Sequence, residues 1–271
     1  MSKTQISESY LADLALNNNA LNIEFINELQ RKHIARYSFN NLAVVLGQEL
    51  PLDAEALFNK IVTRQRGGYC FEHNKLVFTV LAELGFDVRL LLAKVIYNQD
   101  VEVARTHRIT LLTLAGEDYI VDAGFGHLGA YFPVKIELGL VQQQADSQYR
   151  IIKNKKDEYC YQVLKDGDFF TLYTFDLYRY TEADCTLGHF YSHQHPNAAF
   201  VNNLVICRKF INEIKSLRND EYHHIKNGIT NTTKITSIEQ LHQLLTEQYL
   251  LDIDIAISAF LFNKFVIKKA A

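Results

Sequence analysis

The sequence has no tryptophan, one methionine and three prolines, and none of its four cysteines forms a C-x-x-C pair. That spacing excludes a zinc ribbon and offers no disulfide scaffold, so Cys70, Cys160, Cys185 and Cys207 are expected as free thiols. No apolar run approaches the roughly 18 residues of a membrane span. The stretch MSKTQISESYLADLAL at the N-terminus lacks the apolar centre of a secretory signal, which predicts a cytoplasmic protein. Positive charge is not in excess either. With 28 Lys and Arg against 31 Asp and Glu, the net charge is −3, and the general positive field that draws polynucleotides is missing. Neither Gly-x4-Gly-Lys-Ser/Thr nor Gly-x-Gly-x-x-Gly occurs, so nothing supports a nucleotide hydrolase or dinucleotide enzyme.

What is present is a chain of 271 residues, 48% hydrophobic, with 17 Phe and 15 Tyr. That is the composition of a folded protein of two or three packed units. Apolar residues at helical spacing predict helices over 9–16, 23–34, 54–62 and 70–84, the third behind a plausible N-cap at Asp53 and the last stopped by Gly85. From Val88 the pattern changes to strands, over 88–97, 106–114 and 119–123, with a hairpin turn near Gly116-Glu117. Further strands are expected over 149–153, 159–164 and 169–173, giving a β-rich, barrel-like middle. The last part mixes a strand over 200–207 with a helix from Ser237, where Gln240 completes a capping box, and an apolar segment over 255–267.

Chemistry concentrates first in Arg66-Gly67-Gly68-Tyr69-Cys70-Phe71-Glu72-x-Asn74, where a cysteine follows a double glycine at a helix start. The unsatisfied N–H groups and positive dipole end of a helix favour a thiolate. The same segment also fits a small buried residue after a turn. Cys160, Cys185 and Cys207 have no such context and read as core thiols.

A nucleophilic cysteine needs a base and a group to orient that base. Of ten histidines, His33, His223, His224 and His242 read as surface residues, and His73 as facing solvent or a neighbouring helix. His189, His193 and His195 read as a histidine-rich loop rather than a metal site. His107 differs, standing at the rim of an otherwise apolar strand face. The returning strand carries one carboxylate, in Val121-Asp122-Ala123-Gly124-Phe125-Gly126. A turn at Gly116-Glu117 sets Asp122 opposite Leu111, and a turn one residue earlier sets it opposite Ile109. Both registers put Asp122 on the His107 face, because side chains alternate with period two. The tighter one makes the pair diagonal neighbours at roughly 7–8 Å between backbones, within side-chain reach, and is favoured on that ground.

These residues resemble the arylamine N-acetyltransferase family: the Cys70 segment resembles its nucleophile motif, Thr106-His107 its histidine segment, and Asp122 to Gly126 its aspartate segment. Intervals of 37 and 15 residues between the three also suit the family. Weaker likeness at Phe39-Asn40-Asn41-Leu42 and Pro196-Asn197-Ala198-Ala199-Phe200 extends the resemblance over nearly the whole chain. It implies an α+β fold in a cysteine-protease-like arrangement. A helical bundle over 1–86 bears the nucleophile, an antiparallel β-barrel over 87–195 bears histidine and aspartate, and an α/β lid covers 196–271. It also implies acetyl-coenzyme A as co-substrate, no metal, and a ping-pong cycle delivering acetyl through Cys70 to an arylamine, arylhydrazine or N-hydroxyarylamine. His107 is then the base and Asp122 its orienting acid. Phe39, Tyr69, Phe125 and Phe200 are candidates for the aromatic walls of the acceptor site. Thr106 and Gly126 are candidates to cradle the coenzyme, and Arg105 or Arg108 to meet a phosphate.

Departures from the family pattern include Ser38 and Asn40, where a proline and an acid are usual, and His127, Ala130, Asn197 and Ala199. They touch the acceptor pocket and the coenzyme loop, not the triad. Other readings are an amide synthase taking a carrier-bound acyl donor, a Cys-His-Asp hydrolase, and a non-catalytic binding protein. The Cys-Gly-Ser/Ala-Cys-Trp context of papain-type proteases is absent.

Overall fold

Asn22, in extended conformation, accepts the Phe25 N–H on its side chain at 2.9 Å, and this cap starts the helix Ile23–Arg36. One face of that helix buries Phe25, Ile26, Leu29, Gln30 and His33. The computed structural model describes residues 3–17 and 20–267. Around Ile23–Arg36 it packs Lys3–Asp13, Ala54–Phe58 continued by a π turn at Asn59–Thr63, and Cys70–Glu83. Ile6, Tyr10, Leu29, Leu57, Ile61, Leu76 and Val80 form the core of this bundle. Asp53 does cap its helix, accepting from Ala56 N at 2.9 Å.

The middle of the chain is an eight-stranded antiparallel sheet. Its order is Val134–Lys135, Glu117–Val121, His107–Leu114, Asp87–Val95, Asp168–Phe175, Tyr159–Lys165, Ser147–Lys153 and Gln142–Gln144. Glutamine side chains bring its two ends together. Gln142 exchanges hydrogen bonds with Lys135 N and O at 2.9 and 3.0 Å, and Gln144 does the same with Phe132. The sheet is thereby a nearly closed barrel, filled by Leu91, Ile109, Leu111, Ile120, Tyr161, Leu172 and Tyr173.

A second antiparallel sheet follows, ordered Phe39–Asn40, Val205–Phe210, Glu213–Arg218, Glu221–Lys226 and Ile229–Lys234. The helices Ile238–Gln243 and Ile255–Phe265 cover it. Its edge strand comes from the N-terminal part of the chain, so the pairs Phe39↔Cys207 and Asn40↔Ile206 dock this sheet on the bundle. Asn41 secures the seam, donating to Phe200 O and Asn203 O and accepting from Val205 N. Together these features make the α+β, papain-like arrangement of helices, barrel and C-terminal sheet.

Four local expectations need correction. The strand over 200–207 begins only at Val205, because Ala199–Asn202 is a short helix in which Asn202 binds the Pro196 and Ala198 carbonyls. The histidine-rich loop belongs to a helix, Glu182–Gln194, started by a capping box between Thr181 and Asp184. At Ser237 the serine accepts from Gln240 N, but the Gln240 side chain reaches Thr236 N rather than the cap itself. His33, expected at the surface, is buried at 0% exposure, where it meets His73, which faces this neighbouring helix with its Nδ1 2.7 Å from His33 Nε2. Among the described residues no helix is long and apolar enough to cross a membrane.

Candidate active site

Gly67 adopts φ +61, and a Cβ there would lie 2.0 Å from the Ser38 carbonyl oxygen, so only glycine makes this turn. The chain then enters the helix Cys70–Glu83 through Tyr69, whose N–H donates to Glu72 Oε2 at 3.1 Å. Lys60 neutralises the other Glu72 oxygen at 2.5 Å. Cys70 stands at the first helical position, 4% exposed, with its thiol directed at Thr106 O at 3.8 Å. Burial pushes this thiol up, the nearby charge of Asp122 pushes it further, and the N–H groups of Phe71 and Cys70 pull it only partly back. The helix start therefore stabilises the thiolate without freeing it: an isolated Cys70 keeps its proton at neutral pH.

His107 begins the barrel strand next to that carbonyl. The hairpin after it turns on Ala115 and Gly116, both at positive φ (52° and 81°), and pairs Thr110 with Val121. This is the tighter register, in which Asp122 follows opposite Ile109. His107 Nε2 donates to Asp122 Oδ2 at 2.7 Å, with side-chain exposures of 2% and 3%. The carboxylate only accepts, so neutral His107 carries its proton on Nε2 and presents Nδ1 as the ring acceptor. Burial pushes the Asp122 carboxyl up, but the charge and hydrogen bond of His107, with Asn74 and the Gly124 N–H, outweigh it and leave the group below the usual aspartate value.

Asn74, noted in the sequence only as part of the nucleophile motif, ties these pieces together. Its Nδ2 donates to Asp122 Oδ1 at 2.8 Å and to Arg108 O at 2.6 Å, and its Oδ1 accepts from Ala123 N at 2.8 Å. Gly124 permits this approach, since a Cβ there would lie 2.9 Å from both Asn74 Nδ2 and Cys70 O. From the other side Gln30 accepts the Asp122 N–H at 3.2 Å. Neither amide could be assigned from sequence, because each acts through partners brought up by the fold.

Cys70 and His107 open on one cavity of about 200 Å³. Phe39, Thr106, Phe125 and Gly126 line it, as does Phe200, so these candidates converge on the sulfur. The Phe125 ring packs edge-on against His107, centroids 5.2 Å apart at 85°. Tyr69 does not reach the cavity. It is fully buried between Phe71 and Phe200, and its hydroxyl donates to His189 Nδ1, whose Nε2 donates to Leu50 O at 2.9 Å. Adjacent residues at an extended N-cap point in different directions, which puts Tyr69 behind Cys70. His193 binds the His189 carbonyl and His195 stacks on Tyr191, so this cluster does not converge on one point.

The two arginines are also engaged elsewhere. Arg108, 0% exposed, forms a bidentate pair with Glu182, and Arg105 pairs with Asp176. Instead the exposed Arg218 of the second sheet lines the cavity, with His127, Tyr97 and Tyr191. No local motif marks Arg218 in the sequence.

A family model described as N-acetyltransferase matches residues 22–258. Arylamine N-acetyltransferase of Escherichia coli strain K12 is 33% identical over 255 residues, covering 93% of this chain and 90% of that protein. Among solved structures, the arylamine N-acetyltransferase of Salmonella typhimurium superposes with a TM-score of 0.90 at 28% identity, over 96% of this chain and 98% of that one. That of Mycobacterium marinum in complex with CoA gives 0.89 at 27% identity, over 95% and 98%.

Proposed function

The chain belongs to the arylamine N-acetyltransferase family, and from that premise we propose that Cys70, His107 and Asp122 are its catalytic residues. The protein is an acetyl-coenzyme A-dependent acyltransferase that works by ping-pong through a cysteine thioester, with small arylamines and hydrazines as acceptors. One observation carries the assignment of residues: Cys70 and His107 share a cavity, and His107 is held by Asp122.

In the first half-reaction His107 Nδ1 takes the Cys70 proton as Sγ forms its bond to the acetyl carbonyl carbon. The proton then passes to the departing coenzyme sulfur. In the second, the acceptor nitrogen attacks the Cys70 thioester, His107 removes the nitrogen's proton, and the thiol is restored when the Cys70–acetyl bond breaks. Asp122 keeps the ring in the required tautomer and stabilises its cation. The Cys70 N–H at the helix start is our candidate for part of the oxyanion site. Burial suits this cycle because the thiol ionises only when a base is in place.

Phe39 and Phe125 offer flat apolar walls to an aromatic amine, and Phe200 extends them. Aromatic amines remain neutral near pH 7, so a site without carboxylates in its lining fits them. For the coenzyme we propose Thr106 and Gly126 beside the sulfur, with Arg218 in the phosphate role first expected of Arg105 or Arg108. We divide the chain into units 1–86, 87–195 and 196–271, and place the protein in the cytoplasm, in keeping with four free cysteines.

The test is intact-mass measurement after mixing with acetyl-coenzyme A. One added acetyl group, mapped to Cys70 and missing from Cys70→Ala, is the expected result. A folded wild-type protein that stays unmodified would remove the assignment.

A further inference from the structure

Lys209 lies on the inward face of the strand Val205–Phe210, 3% exposed, and among the described residues no carboxylate pairs with it. Its ammonium has three N–H groups and three oxygens around it: the Gly129 carbonyl, the His127 carbonyl at 3.2 Å and the Tyr149 hydroxyl at 3.3 Å. The Tyr131 ring centroid lies 4.1 Å away. Burial pulls the ammonium down to about 8. Its direct contacts are all neutral, and the charge of Asp146 acts on it only from beyond hydrogen-bond range; such groups repay less of a buried cation's desolvation than a paired counter-charge does. Its placement points to another role.

The carbonyls it holds belong to the segment that leaves Asp122 and enters the cavity. Tyr149 donates to Gly129 O at 3.0 Å from the barrel side, Gln30 donates to Ala130 O at 3.1 Å from the bundle, and Gly129 N closes a turn on Gly126 O at 3.1 Å. Lys209 is the contact from the C-terminal sheet. The carbonyls so held belong to Gly126, His127, Gly129 and Ala130; Gly126 and His127 line the cavity, and the segment is continuous with Phe125, whose Cβ lies against Gly129 and whose ring packs on His107.

We propose that Lys209 is a positioning residue for acetyl transfer, tying the His127 and Gly129 carbonyls to the C-terminal sheet and thereby fixing Phe125 against His107 and the cavity wall beside Cys70. The role rests on the acetyltransferase reading of the site. It differs from a fold-stabilising role in what its loss affects: catalysis and thiol reactivity rather than melting.

The experiment compares Lys209→Met and Tyr149→Phe with wild type in melting temperature, in kcat and KM for acetyl-coenzyme A and an arylamine, and in the rate of Cys70 alkylation by iodoacetamide near neutral pH. Alkylation requires no acetyl donor, so it reads the Cys70–His107 arrangement independently. For Lys209→Met we expect melting close to wild type, kcat lower by about tenfold, a raised acceptor KM and slower alkylation, as misplacement by a fraction of an ångström to an ångström produces. Tyr149→Phe should shift in the same direction by less. Wild-type kcat, KM and alkylation in folded Lys209→Met would overturn the proposal, as would a loss confined to melting temperature. Should Lys209→Met fail to fold, Tyr149→Phe decides by the same criteria. If the wild type takes no acetyl group yet Lys209→Met slows alkylation, the transferase reading fails, and what stands is the positioning of His107 toward Cys70 alone.

Discussion

His107 and Asp122 meet through one hydrogen bond of 2.7 Å, and the second Asp122 oxygen is already committed to Asn74 Nδ2 and the Gly124 N–H. This arrangement predicts the outcome of Asp122→Asn. The amide oxygen must face the two donors from Asn74 and Gly124, so the amide nitrogen faces His107 Nε2. His107 Nε2 must then accept from that amide, the ring proton moves to Nδ1, and the base toward Cys70 is lost. Acetylation of Cys70 is expected to slow about a thousandfold or more with the fold intact, as measured by rapid-mixing mass spectrometry. A variant within a few-fold of wild type would show that the tautomer does not limit the reaction.

The burial of Cys70 makes a separate prediction. Burial and the charge of Asp122 hold the proton on the sulfur, so thiolate forms at neutral pH only by transfer to His107. Wild-type Cys70 should therefore react with iodoacetamide near neutral pH, whereas His107→Ala should react only as pH becomes strongly alkaline. Alkylation rate against pH is the measurement. Equal neutral-pH rates in the two proteins would mean that His107 is not the proton acceptor.

Much of this site could be read locally. The Gly67-Gly68 turn marks the helix start at Cys70 because the glycines are dictated by backbone geometry. The shared face of His107 and Asp122 follows from strand periodicity, which is insensitive to a one-residue error in the turn. What escaped depends on partners distant in sequence. Arg108 looked available for a phosphate until Glu182 supplied its carboxylate, and His33 looked exposed until Tyr10 and His73 enclosed it. The strand Ile229–Lys234 escaped for another reason: it is exposed throughout, so no alternation of apolar and polar residues announces it.

Asn74 offers the sharpest test of those distant partners. Its side chain satisfies an Asp122 oxygen, the Arg108 carbonyl and the Ala123 N–H, all in the interior. Asn74→Ala would remove this partner from the Arg108 carbonyl and the Ala123 N–H and leave the Asp122 oxygen with the Gly124 N–H alone, and each buried group left unsatisfied costs about 1–3 kcal/mol. A loss of about 3 kcal/mol in urea denaturation is expected, accompanied by reduced activity because the aspartate loses one of its anchors. Activity lost at unchanged stability would mean that water replaces the amide.

A last prediction concerns the bundle rather than the cavity. Tyr10, His33, His73 and the Ser38 carbonyl form a buried chain with links of 2.7, 2.7 and 3.2 Å. A carbonyl only accepts, so His73 carries its proton on Nε2, leaving Nδ1 to accept from His33 Nε2–H, whose Nδ1 accepts in turn from the Tyr10 hydroxyl. Every proton is assigned with both rings neutral, and a further proton on either would oppose an existing donor. Burial accordingly pulls His73 down to about 4 and His33 well below its ordinary value. Both depressed values mean that the unfolded chain binds more protons than the folded one between about pH 6.5 and 4. Stability is thus full above pH 6.5 and falls as acid is added, by about 3 kcal/mol at pH 4 from His73 alone. Urea denaturation of wild type across this range should show the decline, and His73→Gln, which does not titrate there but leaves His33 in place, should make it shallower. An equally steep decline in folded His73→Gln would assign the acid sensitivity to other groups.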